Sequence, residues 1–262
     1  MSASDSEPVS DVKIKFMTYN VWSNEHVAVY RRMQAISDLI ARHDPDVIFL
    51  QLSKFYAEES ESVGKFRKQM ISGHTEPRSL VSVLLDLERS KDYTPAPHTY
   101  RSVTWDKSVR VATCRLPGPT PADARCMDRL DGASTFFKYA REYDDCNVVL
   151  AGDMSWDEDL DGPFPYSGGV WLDPWCELRG DDDSGGWTYD VVANPMLRGR
   201  KPERKRPDRF FCKLREFALD SIEIVGVDAI PGVTYIDDKG SVLPVLPSHH
   251  FGLVLTISPK KN

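Results

Sequence analysis

Polar and apolar residues alternate along Lys13–Tyr19 (KIKFMTY), a period of two that predicts a half-buried strand, and the run ends in polar Asn20. Over Val29–His43 the period lengthens. Met33, Ile36, Leu39 and Ile40 recur at helical spacing, and Asp44-Pro45 closes the helix. Asp46–Gln51 (DVIFLQ) is short, apolar and bounded by proline, which suits a strand covered on both faces. The chain therefore opens strand, helix, strand. Pro121–Tyr143 reads as a second long helix, and Cys146–Ala151 (CNVVLA) as another buried strand leading into Gly152-Asp153. Further strands are expected at Val109–Leu116, Arg209–Leu214, Asp220–Val227 and Gly252–Ile257, while Leu80–Leu87 fits a strand or a short helix. Lys54–Lys107 as a whole is the least regular stretch. Strands and helices intermixed without a GxGxxG or phosphate-loop signature predict a layered α/β sandwich, not a doubly wound nucleotide-binding sheet.

With 262 residues and 41% apolar positions the chain can build a full hydrophobic core. One domain is expected over residues 13–258, with 54–107 divergent, after a Ser/Asp/Glu/Pro-rich tail over 1–12 that reads as disordered. No apolar run approaches the ~20 residues that cross a bilayer, so a soluble protein with no membrane partner is expected. Five scattered cysteines in no CxxC spacing read as reduced thiols of a cytosolic or nuclear protein. A net charge of −7 argues against coating nucleic acid by bulk attraction, but Arg198–Arg206 (RGRKPERKR) gathers six cations around Glu203. Two readings of that run stand: a solvated loop, or a phosphate-contacting or nuclear-import segment.

The candidate chemistry lies at strand ends. Asn20 follows the first strand, Gln51 the second and Asp153 the VVLA run, while Ser248-His249-His250 precedes the last. Each alone fits a cap or turn; together they are how a layered sheet assembles a site from distant sequence. Trp156 is a candidate for stacking on a base, against the alternative that it packs its loop onto the sheet, as Phe164, Trp171, Trp175 and Trp187 do in the same reading.

The segments MTYNVW (Met17–Trp22), RRMQAISDLIARHDPDVIFLQ (Arg31–Gln51), VATCRLPGP (Val111–Pro119), GDMSWDEDLDGPFP (Gly152–Pro165), WTYD (Trp187–Asp190), RPDRFFCKL (Arg206–Leu214) and LPVLPSHHFGLVLTI (Leu243–Ile257) resemble the endonuclease/exonuclease/phosphatase family, and within it the tyrosyl-DNA phosphodiesterases in their plant-like form. The resemblance spans residues 14–51 and 109–257. It implies a four-layered sandwich of two packed mixed sheets flanked by helices, of the DNase I type. It also implies a Mg²⁺- or Mn²⁺-dependent hydrolase of 5′-phosphotyrosyl bonds, acting on DNA ends with protein adducts, as a monomer in the nucleus, with the cytoplasm also open.

Residue by residue, the resemblance assigns Asp153 to the nucleophilic water or the leaving group, and His250 to charge stabilisation. Asn20 falls to the catalytic and metal positions. Ser155 stands two residues after Asp153, as in plant-like members. Asp208-Arg209 is retained as a pair supporting the substrate side. Three positions depart from the pattern. Leu52 stands where the family has the principal metal-binding Glu, and a leucine offers no lone pair. His249 replaces the Asp of Ser-Asp-His and is at best a weak metal ligand, since imidazole suits Mn²⁺ or Zn²⁺ better than Mg²⁺. Arg115 replaces a phosphate-contacting His, keeping a cation that exchanges no proton. The implied enzyme is therefore impaired. The alternative is an inactive paralogue that keeps the fold and binds DNA or a protein.

Overall fold

The computed structural model describes residues 13–52, 81–86, 98–101, 108–141, 147–165, 170–180 and 185–260. The expected tail, the acidic run Asp181–Asp183 and most of 54–107 lie outside these.

Among the described residues, thirteen strands and four α-helices follow in order. First come β1 (Ile14–Asn20), α1 (Val29–His43), β2 (Val47–Leu52), β3 (Val81–Asp86), β4 (His98–Arg101) and β5 (Ser108–Arg115). Then come α2 (Cys126–Arg141), β6 (Asn147–Asp153), α3 (Glu158–Asp161), α4 (Pro174–Arg179), β7 (Tyr189–Asp190) and β8 (Arg204–Lys205). Last are β9 (Asp208–Lys213), β10 (Phe217–Val225), β11 (Thr234–Ile236), β12 (Val242–Pro244) and β13 (Gly252–Pro259). One sheet runs β10-β13-β1-β2-β3 and a second β4-β5-β6-β9, with two short ribbons, β7-β8 and β11-β12. Both large sheets are mixed: β1 is parallel to β2 and antiparallel to β13, and β6 is parallel to β5 and antiparallel to β9.

Strand alternation explains the layers. On β1, Ile14 and Phe16 join Val47, Phe49, Val149, Ala151, Phe210 and Leu255 in the core between the sheets. Met17 and Tyr19 point the other way, against Met33, Ile36, Leu39 and Ile40 of α1. The outer face of the second sheet, with Val148, Leu150 and Phe211, is covered by Ala133, Phe136 and Phe137 of α2 and by Trp156, Phe164 and Trp171. The expected four-layered α/β sandwich is thus observed.

The helix α1 ends as its sequence predicts. Asp44 adopts a left-handed conformation, its N–H donates to the Ile40 carbonyl, and Pro45 stops continuation. The helix expected from Pro121 starts later, at Cys126, because Thr120 and Asp123 bond each other's backbone and the Asp123 carboxylate accepts the Arg125 N–H, closing a turn in place of the first helical coil. Leu80–Leu87 resolves as the strand β3, parallel to β2, and ends with Asp86 opposite Leu52.

Candidate functional site

The apolar core between the sheets stops before the strand ends, and the inward-facing positions there are polar. On β1 the inner face runs Phe16, Thr18, Asn20; on β2 Val47, Phe49, Gln51; on β5 Val111, Thr113, Arg115; on β6 Val149, Ala151, Asp153; on β9 Cys212, Phe210, Asp208. Register aligns them: Asn20 pairs with Gln51, and Arg115, Asp153 and Asp208 lie in one row across the second sheet. Gln51 forms the floor, its Nε2 donating at 3.2 Å to both Thr18 and Thr113 hydroxyls and so joining the two sheets.

Above this floor four side chains from separate segments meet. Asn20 Nδ2 donates to Asp153 Oδ2 at 2.7 Å and stands 3.5 Å from His250 Nδ1. The Asp153 Oδ1 accepts from the Ser155 N–H and hydroxyl at 2.8 and 3.1 Å. Gly152 is required just before it, since a Cβ there would stand 2.0 Å from the Cys114 carbonyl oxygen at a φ of +147°. His250 Nδ1 lies 2.8 Å from Asp208 Oδ2, which also accepts from the Thr188 hydroxyl at 2.6 Å. Arg115 Nε is 3.5 Å from Asp153 Oδ2. The two carboxylates lie at the bottom, with side chains 4% and 1% exposed, and Arg115 and His250 line the mouth at 37% and 18%.

The loop carrying His250 is pinned from below. Ser248 Oγ donates to the Asn20 carbonyl and accepts the Trp22 N–H, and the Asn194 amide donates to the Ser248 and His249 carbonyls. Fully buried Arg32 gathers the loop after β1 by donating to the Trp22, Val27 and Asn24 carbonyls.

Burial and neighbouring charges bias the protonation of both groups. Burial, reinforced by the Asp208 charge, raises the Asp153 carboxyl above the ordinary carboxylate range, while His250, Arg115 and the Ser155 amide hold it back. Burial works against a charged His250, but the Asp208 carboxylate, by charge and hydrogen bond, and Asp153 behind it raise the imidazolium above its usual value.

One donor atom of each of Asp153, Asp208 and His250 lies within 4.8 Å of the others, and Asp208 Oδ1 is buried without a hydrogen-bond partner. That orphaned oxygen fits a divalent cation. An imidazolium has no lone pair to offer, so while His250 is protonated the donors left in this cluster are carboxylate oxygens, hard ligands of the kind Mg²⁺ and Mn²⁺ accept with water completing the shell.

Four sequence assignments are corrected here. His249 stands apart from the carboxylate cluster: its ring stacks on Trp22 with centroids 3.6 Å apart. Trp156 cannot stack on a base, being 1% exposed with Nε1 bonded to the Gly162 carbonyl. Arg209 faces away from substrate, because β9 alternation turns it to the outer layer, where it bonds Glu158 and the Arg206 carbonyl and covers the Phe164 ring. Asp208, its neighbour, sits at the centre of the site and not on a substrate-contacting rim. Thr188 and Tyr189 were missed; the Tyr189 ring stands edge-on to His250 at 5.3 Å. Their only sequence signal was the WTYD segment, in which nothing marked them as site residues.

No family model and no curated protein matches this sequence. Its fold is that of solved endonuclease/exonuclease/phosphatase proteins, a DNase I-like architecture. Truncated TDP2 from Caenorhabditis elegans superposes with a TM-score of 0.67 at 15% identity, over 94% of this chain and 98% of that one. TDP2 from D. rerio complexed with a single-strand DNA product gives 0.62 at 16%, covering 94% and 99%. A mannosyl-6-phosphatase of Bacteroides thetaiotaomicron gives 0.58 at 13%, covering 93% and 99%.

Proposed function

We propose that the chain is a metal-assisted phosphodiesterase that releases tyrosine-linked adducts from DNA 5′ ends in DNA repair, at a rate well below that of a relative with a full set of acids. The observation that carries this reading is the convergence of Asn20, Asp153, Asp208 and His250 on one end of the inter-sheet cleft, with Arg115 at its mouth. The single-strand DNA product in the D. rerio TDP2 structure supports the choice of substrate.

In this reading Asp153, made more basic by burial and oriented by Asn20 and Ser155, takes the proton of the attacking water as its oxygen bonds to phosphorus, and the phosphorus–oxygen bond to tyrosine breaks, the tyrosine leaving as a phenolate that takes a proton from solvent. His250, kept protonated by Asp208, donates to a phosphoryl oxygen as negative charge builds, and Arg115 adds a fixed charge. A divalent ion, Mg²⁺ or Mn²⁺, held at Asp208 Oδ1 and Asn20 would polarise the phosphoryl group. With Leu52, Arg115 and His249 each in place of a family group, turnover is expected at least ~10³-fold below a complete relative. Work on nuclear DNA by a monomer belongs to the same proposal.

Leu52 favours a second reading, a binding module that no longer cuts. Hydrolysis of a 5′-phosphotyrosyl oligonucleotide with Mg²⁺ and then Mn²⁺ decides between them. Metal-dependent cleavage by the native chain, reduced about 10²- to 10⁴-fold in Asp153→Ala, supports the enzyme. Cleavage only by a Leu52→Glu variant overturns it in favour of the binding module.

A further inference from the structure

The basic run Arg198–Arg206 separates into two parts. Arg204 pairs with Asp190 at 3.2 Å, Lys205 with Asp157 and Glu203 at 2.8 and 3.0 Å, and Arg206 with both Asp173 oxygens at 3.0 and 3.1 Å. Cations already matched by acids contribute little attraction for a further anion. Arg198, Arg200 and Lys201 are exposed, and among the described residues no acid pairs with them. Lys239 adds a fourth cation beside them, its Nζ 3.6 Å from where a side chain at Gly199 would begin.

This loop is coupled to the site by one aromatic ring. Arg200 Nη1 donates to the Tyr189 hydroxyl at 3.0 Å, and the Tyr189 ring abuts His250. Arg200 is therefore separated by one tyrosine side chain from the group that would face the scissile phosphate. On a chain of net charge −7, attraction for a polyanion has to be local, and this is a local source of it.

We propose that Arg198, Arg200 and Lys201 form a track for the phosphates of a single nucleic-acid strand whose end occupies the site, so that the protein selects an extended polyanion over a small phosphoester. The inference rests on the phosphodiesterase reading for its site, but its test is binding. Anisotropy of a 3′-labelled single-stranded oligonucleotide with a 5′ phosphate, measured without divalent ions over a salt series, compares the native chain with Arg198→Gln/Lys201→Gln. Each phosphate contact on a single strand adds about 0.7 to the slope of log affinity against log salt, so the double variant should show weaker binding and a slope shallower by about 1.4. Its hydrolysis of the p-nitrophenyl ester of thymidine 5′-phosphate should match the native chain's. An unchanged slope, an equal loss on the small ester, or tighter binding of polyglutamate than of the oligonucleotide overturns the track. If binding behaves as expected while neither ester is cut, the track stands and the hydrolytic reading falls.

Discussion

Replacing His249 by phenylalanine should flatten the acid side of the stability curve. The imidazole lies on the Trp22 ring, and its Nε2 is buried without a partner. Burial first, and then the nearby charges of Arg200, His250 and Arg32, push its pKa down to about 3 from 6.5. The unfolded chain takes up the proton near pH 6.5 and the folded chain does not. His249 therefore costs no stability above 6.5, and an increasing amount as the pH falls from there toward 3. Between pH 7 and pH 5 the loss from this one group is about 2 kcal/mol. Phenylalanine keeps the stacked ring and has no proton to bind. Urea unfolding of both proteins at the two pH values gives a double difference in which the change in packing and the shared titrating groups cancel. The native chain should lose about 2 kcal/mol more than the variant. Equal losses would mean that folded His249 takes up its proton near the ordinary pH, so that the ring is open to water or a carboxylate, and the packing argument against a metal role would fail.

Leu52→Glu alone should strengthen Mg²⁺ or Mn²⁺ binding, read as a lower metal concentration for half-maximal protection against thermal unfolding; no change would remove the strand end from any metal site. Trp156→Ala should cost about 3–5 kcal/mol in urea unfolding, because a core ring is lost, with an unchanged salt slope for oligonucleotide binding; a changed slope would restore its role in stacking. Arg129 and Asp161 form a bidentate pair at 2.8 and 2.7 Å with side chains 0% and 1% exposed, so Asp161→Asn should destabilise by about 3–5 kcal/mol, and a cost below 1 kcal/mol would show that the guanidinium finds water instead.

That last pair shows where reading the sequence stopped. Nothing in the sequence singles out Asp157 or Asp161, yet Asp157 caps α3 and Asp161 reaches a buried arginine 32 residues earlier, a distance no local pattern encodes. The sandwich itself was legible because alternation marks β1, helical spacing marks α1 and apolar runs mark β2, β6, β9 and β13, and the apolar residues that make those patterns are the ones buried. The short ribbons β7-β8 and β11-β12 escaped notice, since two or three residues carry no measurable alternation.

The sequence by itself determined which polar residues end the strands: Asn20, Gln51, Asp153 and the Ser248–His250 turn stand where apolar runs stop. It determined, too, that Leu52 at the end of β2 offers no lone pair to a metal, since that follows from residue type alone. Only the tertiary structure decided which polar residues face each other. Alternation on β9 sends Asp208 inward and Arg209 outward, and the pinned turn before β13 aims His250 at the carboxylates while His249 lies on Trp22. Adjacent residues in sequence thus take opposite roles, because the face of a strand and the twist of a turn are settled by packing between sheets, over separations that sequence neighbours do not record.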